Sequence, residues 1–175
     1  FIPAVVLGLL LNDVIDNLLE SPITVAISLI IGGLILLKVD DWFKANEEFD
    51  AENPTAHTEI SYLTALKIGF FQCLAMIPGT SRSGASIVGG MTQKINRKTA
   101  AEFSFFSAVP TMLAASAKST LDVYQESPEI FTTNNLYTLL IGGVVAFLVA
   151  LISVKFFIGF IQKKGFALFG WYRII

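Results

Sequence analysis

The segment Pro22–Val39 runs for about eighteen residues with no charge before Lys38, and this run constrains the chain more than any other feature. As an α-helix rising about 1.5 Å per residue, it has close to the length that crosses roughly 30 Å of hydrocarbon. Thr99–Ala117 and Leu136–Val154 are long enough to do the same. Across the chain 54% of residues are apolar, 15% are charged and fifteen are Phe, whereas a soluble domain carries about a quarter charged residues. A chain of 175 residues cannot hide that much apolar surface in its own core, because a domain of about 150 residues leaves roughly a third of its surface exposed. Lipid is the expected solvent, so the bilayer is the first partner and the expected fold class is an all-α, polytopic membrane protein. A net charge of −2 gives no reason to expect a nucleic-acid partner, and the single Cys73 can form no internal disulfide.

Phe1–Leu11 carries no initiator Met, basic n-region or small-residue cleavage site, so it does not read as a signal peptide. It reads as the tail of an apolar segment entered midway, and a missing N-terminal portion is expected. Polar stretches at Asn12–Glu20, Asp40–Glu59 and Lys118–Asn135 separate the apolar runs. The basic residues Lys94, Arg97 and Lys98, and the group Lys155, Lys163 and Lys164, mark cytoplasmic loops. Lys118–Asn135, with one Lys and three acids, then faces the other side. In the aromatic-rich Phe156–Ile175 segment, Trp171, Tyr172 and Arg173 suit a membrane interface. Gly32-Gly33 and Gly142-Gly143 permit close helix contacts, within the chain or between the two copies of a homodimer.

This topology requires residues 60–93 to leave the cytoplasmic side and return to it. Ser83–Met91 as a helix covers only about 14 Å, half the hydrocarbon thickness, and a full crossing would strand Lys94, Arg97 and Lys98 at mid-membrane. The spacing predicts a re-entrant helical hairpin over 60–93, with its tip at Pro78–Gly84. Non-helical backbone at membrane depth is tolerated where it is buried in protein or lines a wet cavity, so the tip should line a cavity.

The residues of that tip favour one kind of ligand. Pro78 has no N–H and ends the first helix, while Gly79 and Gly84 permit positive φ and close approach. Thr80, Ser81 and Ser83 supply hydroxyl donors. The helix that starts near Ser83 directs unpaired N–H groups and partial positive charge into the same space. Arg82 adds a permanent cation with a planar fork of donors that matches phosphate oxygens, at a depth where an Arg is costly. An anion with several oxygens fits all of these. Taken singly, the Ser and Thr residues are also ordinary helix caps, and Arg82 is also able to serve as a purely structural ion-pair partner. Gln72 either turns toward the cavity or bonds a neighbouring helix. Glu102 fits a partner of Arg82, a metal ligand or an interfacial helix start. His57 reads as a solvated loop residue, and Lys67 as one that snorkels.

The runs Gln72–Ile87 and Gly89-Gly90-Met91, together with Arg97–Phe106 and Pro110-Thr111-Met112, resemble the undecaprenyl-diphosphate phosphatase (bacitracin-resistance) family. The similarity extends from Gly32-Gly33 to the closing Tyr172-Arg173-Ile174, and PGTSRSG in a membrane hairpin is its specific signal. The resemblance implies a hydrolase of the bacterial cytoplasmic (inner) membrane that converts the polyprenyl lipid undecaprenyl diphosphate to undecaprenyl phosphate and inorganic phosphate. That reaction recycles the lipid carrier for peptidoglycan synthesis and confers bacitracin resistance. It also implies half of an inverted-repeat architecture, a site open to the outer face, and help from a divalent cation, Mg²⁺ or Ca²⁺. The family's second motif matches at Pro78–Gly84, which makes Arg82 the diphosphate-binding arginine and Ser81 and Ser83 its neighbours. The first motif, Glu-rich and followed by a Ser/Thr-Gly-His loop, has no match here. Its carboxylates and histidine, and with them the metal site, are expected in the missing N-terminal portion, so the chain alone is expected to be inactive. An anion transporter using the same helix ends and a structural membrane subunit are the competing readings. A two-histidine phosphatidate-phosphatase site is disfavoured by the single His57.

Overall fold

A computed structural model describes residues 2–11, 15, 18, 21–45, 48 and 60–175. His57 and most of the Asn12–Glu20 and Asp40–Glu59 stretches lie outside the described residues. Helix α1 spans Ile2–Leu10. Helix α2, Pro22–Trp42, begins with Pro at its first position and with the Ser21 hydroxyl accepting from the Thr24 N–H, the arrangement that best satisfies a helix start. It runs three residues past Val39. Helix α3, Tyr62–Gln72, is capped by Ser61 and tightens into a 3₁₀ turn over Cys73–Met76. Helix α4 spans Arg82–Thr92, α5 Arg97–Glu126, α6 Thr133–Lys164 and α7 Ala167–Ile174.

The expected outer loop Lys118–Asn135 is shorter than its polarity suggested. Helix α5 continues to Glu126, stitched by an ion pair of 2.9 Å between Lys118 and Asp122 one turn apart, and only a 3₁₀ turn over Pro128–Ile130 and its flanks join it to α6. Loss of apolar character there does not mark the end of the helix.

Helices α2 and α6 are long and apolar enough to cross a membrane. Large apolar side chains stay exposed along α6 from Leu136 to Ile152, and on α5 at Phe106, Val109, Met112 and Leu113. The surface area is 11,915 Å², against the roughly 8,400 Å² that a closed soluble protein of this mass would show. The excess is apolar helix surface, which water does not favour. The protein is an all-α membrane protein.

The buried core sits at one end, where Leu36, Val39, Ile68, Met91, Ile161 and Phe166 meet. Asp40, in the last turn of α2, organises that end. Its Oδ1 pairs with Arg97 Nη2 at 2.8 Å, and its Oδ2 accepts from the Phe166 N–H at 2.7 Å. Arg97 also donates to the Ile161 carbonyl at 2.9 Å and lies over the Phe166 ring. One carboxylate thus ties the end of α2 to the start of α5 and to the elbow between α6 and α7. Gly165 makes the elbow possible with φ +71°, and a side chain there would collide with Asp40.

From that elbow α7 lies antiparallel along α2. A Cβ on Gly33 or on Gly170 would stand 2.9 Å from the other's carbonyl oxygen, so the two backbones touch. Gly32-Gly33 therefore serves contact within the chain, whereas a Cβ on Gly142 or Gly143 would meet no atom of another element within 4 Å among the described residues.

Replacing Asp40 by Ala takes one carboxylate from Arg97 in a largely buried place and leaves the Phe166 N–H without its acceptor. The expected cost is about 2–3 kcal/mol, read as a lower melting temperature in detergent, with Asp40→Asn losing less because it still accepts from Phe166. An unchanged melting temperature in Asp40→Ala would remove the clamp from its organising role.

Candidate anion-binding site at a helical hairpin tip

Helices α3 and α4 form the two arms of a hairpin. Phe71 fills the space that Gly89 leaves open, and Ile68 approaches Gly90, so the arms run antiparallel and close. Gly90 also admits Ala100 of α5. A buried hydroxyl pair, Ser86 Oγ and Ser104 Oγ at 2.6 Å, joins α4 to α5, and the Ser86 hydroxyl also reaches the Arg82 and Ser83 carbonyls. The foot of the hairpin is level with Asp40, through Arg97. Its tip touches α2 at Val25 and Ser28, about 18–22 Å further along at 1.5 Å per residue.

The tip itself is a tight turn followed at once by a helix start. The Thr80 N–H donates to the Ile77 carbonyl at 3.0 Å, with Pro78 and Gly79 between them and Gly79 at φ +85°. Pro followed by a residue of positive φ is the signature of a type II turn. Ser81 then caps α4, its Oγ accepting from the Gly84 N–H at 3.1 Å and lying 3.2 Å from Ser83 Oγ. The Arg82 and Ser83 N–H groups, next in line, take no acceptor among the described residues. They are the unpaired donors that a helix N-terminus offers to an anion.

Arg82 occupies the first position of α4, half-buried, with its Nη1 fully buried and without a hydrogen-bond partner among the described residues. A buried donor without a partner is uncommon and calls for an explanation such as an unbound ligand. Glu102 does not supply the partner: it lies 4.0 Å from Lys98 one turn away and is half exposed. Gln72 is buried where α3 gives way to the 3₁₀ turn, one turn from the tip.

Two cavities reach the tip. One of about 190 Å³ has Ser81, Ser83 and Gly84 on one wall and Phe157, Phe166 and Phe169 on another. The second, about 340 Å³, runs from Thr80, Ser81 and Gly84 between Ile35, Trp42, Phe71 and Val88. Arg82 lines neither. Arg173 lines both.

Arg173 is the residue that sequence reading misplaced. Trp171 and Tyr172 are exposed as an interfacial pair would be, but Arg173 turns inward, and its Nη2 donates to the Gly79 carbonyl. Its side chain passes where Gly32 has no Cβ, and its Nε is buried without a partner among the described residues. The signal was present in the helical period: Phe166, Phe169, Gly170 and Arg173 recur at three- and four-residue steps and share one face.

The residues at the tip do not fit a metal site. Their donors are hydroxyls, amides and cations, and among the described residues no three acidic, thiol or imidazole groups converge. A divalent cation requires oxygen ligands of negative character, which this set lacks.

An all-α membrane protein with a donor-rich helical hairpin beside its spanning helices is the class that fold and site define. The whole chain, residues 1–175, matches the family model described as Bacitracin resistance protein BacA, and the chain belongs to that family. It is 61% identical over its whole length to a protein of Flavobacterium psychrophilum named undecaprenyl-diphosphatase, of which it covers 63%. A protein of the same name in Porphyromonas gingivalis strain ATCC 33277 is 47% identical over 99% of this chain and 59% of its own length. Undecaprenyl-diphosphatase 3 of Acinetobacter baylyi is 45% identical over the whole chain and 62% of its own length. The chain spans about three fifths of the length of these curated relatives.

The turn gives a direct test of the tip. In Gly79→Ala, the positive φ alone should cost about 1–3 kcal/mol, and the new Cβ would stand 2.6 Å from the Val25 carbonyl oxygen. Thermal unfolding in detergent should show a clear loss of stability, and an undisturbed melt would mean that the tip does not rest on α2.

Proposed function

We propose that this chain supplies the diphosphate-binding half of a membrane hydrolase that cleaves undecaprenyl diphosphate to undecaprenyl phosphate and inorganic phosphate. The reaction adds water across the phosphoanhydride: the bond to the terminal phosphorus breaks, and the lipid monophosphate leaves. It returns the lipid carrier to peptidoglycan synthesis and underlies bacitracin resistance. The observation that carries this reading is the coincidence, at one helix start, of unpaired N–H groups, two adjacent serine hydroxyls and the unpartnered buried Nη1 of Arg82. The names of the relatives support it.

In this mechanism Arg82 grips the diphosphate through its planar fork and offsets charge on the leaving oxygen as it develops. Ser81 and Ser83 donate their hydroxyl protons to phosphate oxygens, with Gly79, Thr80 and Gly84 giving the backbone room to approach. Because Ser81 is held as a cap and touches Ser83 and Gly84, with no basic side chain among its described contacts, it acts as an electrostatic contributor, and activation of water falls to a group outside the tip. A divalent cation, Mg²⁺ or Ca²⁺, would add charge neutralisation to the reaction, and its ligands would come from outside the tip, whose hydroxyls, amides and cation do not suit it.

The hairpin is read as re-entrant in the bacterial inner membrane, residues 60–93 entering and leaving on the cytoplasmic side. Lys94 in the turn before α5, Lys98 in α5, and Lys163 and Lys164 at the end of α6 flank the Asp40 end, as positive-inside orientation favours. The tip then opens toward the outer face. The open face at Gly142 and Gly143 leaves room for a second copy of the chain.

Phosphate release from undecaprenyl diphosphate by the full-length protein tests the reading. Arg82→Ala should lower kcat/KM by roughly 10²–10³-fold, and Arg82→Lys should recover little because a point charge does not replace the fork. Full activity in Arg82→Ala would sink the site; net movement of an anion without hydrolysis by the wild type would favour a transporter.

A further inference from the structure

The Gly79–Thr80 peptide is held at both ends. Its N–H donates to the Ile77 carbonyl at 3.0 Å, and its carbonyl accepts from Arg173 Nη2. It stands immediately before Ser81 and Arg82, and Gly79 is the residue of the tip with the widest conformational freedom. Without Arg173, the carbonyl of this peptide would present partial negative charge beside a site that selects an anion.

Docking of α7 does not explain the arginine. The helix is already fixed by the Gly33–Gly170 contact, by Ile174 packed on Gly33 and by the Asp40 hydrogen bond to Phe166. A half-buried guanidinium is costly at this depth, and a leucine would pack α7 without that cost. Phe166 and Arg173 are seven residues apart, about 10 Å along a helix, so the Asp40 clamp sets how far up α2 the guanidinium reaches. Arg173 approaches through the two cavities that Arg82 does not line. One arginine faces the anion; the other holds the loop that presents it.

We infer that Arg173 is a positioning residue for the diphosphate site, acting through the Gly79 carbonyl to fix the plane of the peptide that leads into Ser81 and Arg82. The inference rests on the phosphatase reading of the tip. In the full-length protein, Arg173→Gln should lower kcat/KM for undecaprenyl diphosphate by roughly 10²-fold, mostly in kcat, as a misplaced catalytic group does. Arg173→Lys, whose longer cationic side chain still reaches the Gly79 carbonyl where the shorter, neutral Gln amide does not, should stay within about tenfold of wild type, with an unchanged melting temperature. In the Arg82→Ala background, Arg173→Gln should cost far less than alone, because residues acting as a unit are not additive.

Additive losses, or Lys as damaging as Gln in a protein that melts normally, would overturn the inference and leave Arg173 a packing residue. Binding of methylene diphosphonate, followed by calorimetry, separates the two readings. If the wild type releases no phosphate, the phosphatase reading falls, and a tenfold or greater weakening of diphosphonate binding in Arg173→Gln but not Arg173→Lys still supports positioning of an anion site. Equal affinities in all three proteins, or no binding by the wild type, would overturn it.

Discussion

A single carboxylate, Asp40, fixes the relation between the parts of this protein. It receives the Arg97 guanidinium and the Phe166 amide on separate oxygens, so the start of α5 and the elbow before α7 are both referenced to the end of α2. Everything farther up is measured from there. The hairpin is anchored through the turn that leads into Arg97, and α7 is anchored through the residue that opens it. The hairpin tip and Arg173 meet because both are built outward from the same fixed point along helices of fixed rise.

The two ends of the hairpin follow opposite rules. The foot is packed with aliphatic side chains and closed by a paired charge, and glycines and alanines let α3, α4 and α5 approach closely. The tip is under-packed and rich in donors, and two cavities open on it. Ser86 and Ser104 lie between, a buried polar contact satisfied within the protein as an apolar surround demands. A rigid foot allows the tip to keep groups unpaired, since the strain of holding donors without partners is borne by packing some 18 Å away.

Much of this was readable in the residues. Uninterrupted apolar length gave α2 and α6, and the Pro78-Gly79 break between two short apolar runs gave the turn that separates α3 from α4. Pro78 and Gly79 announced the turn through their restricted and permitted φ. Helix ends were less readable where polar residues remain good helix formers, as at Lys118–Glu126. Arg173 escaped for a different reason: its aromatic neighbours Trp171 and Tyr172 set an interfacial context that its own position on the Phe166–Gly170 face contradicts. The pairing of Glu102 with Lys98 and of Arg97 with Asp40 depends on which side chains converge in space, and only the first is a neighbour in sequence. The inward arginine and the Asp40 clamp join residues 94 and 126 positions apart, a distance at which local pattern carries no information.

The Gly33–Gly170 crossing has a consequence for how such a protein tolerates change. Where two helices meet through side chains, a substitution alters their spacing and neighbours readjust. Here the contact is backbone on backbone, so the spacing between α2 and α7 is set by the peptide groups themselves and has no side chain to tune it. Residues around the cavities are free to change while the reach from α7 to the hairpin stays constant. The crossing acts as a gauge block: a dimension that sequence variation elsewhere leaves untouched.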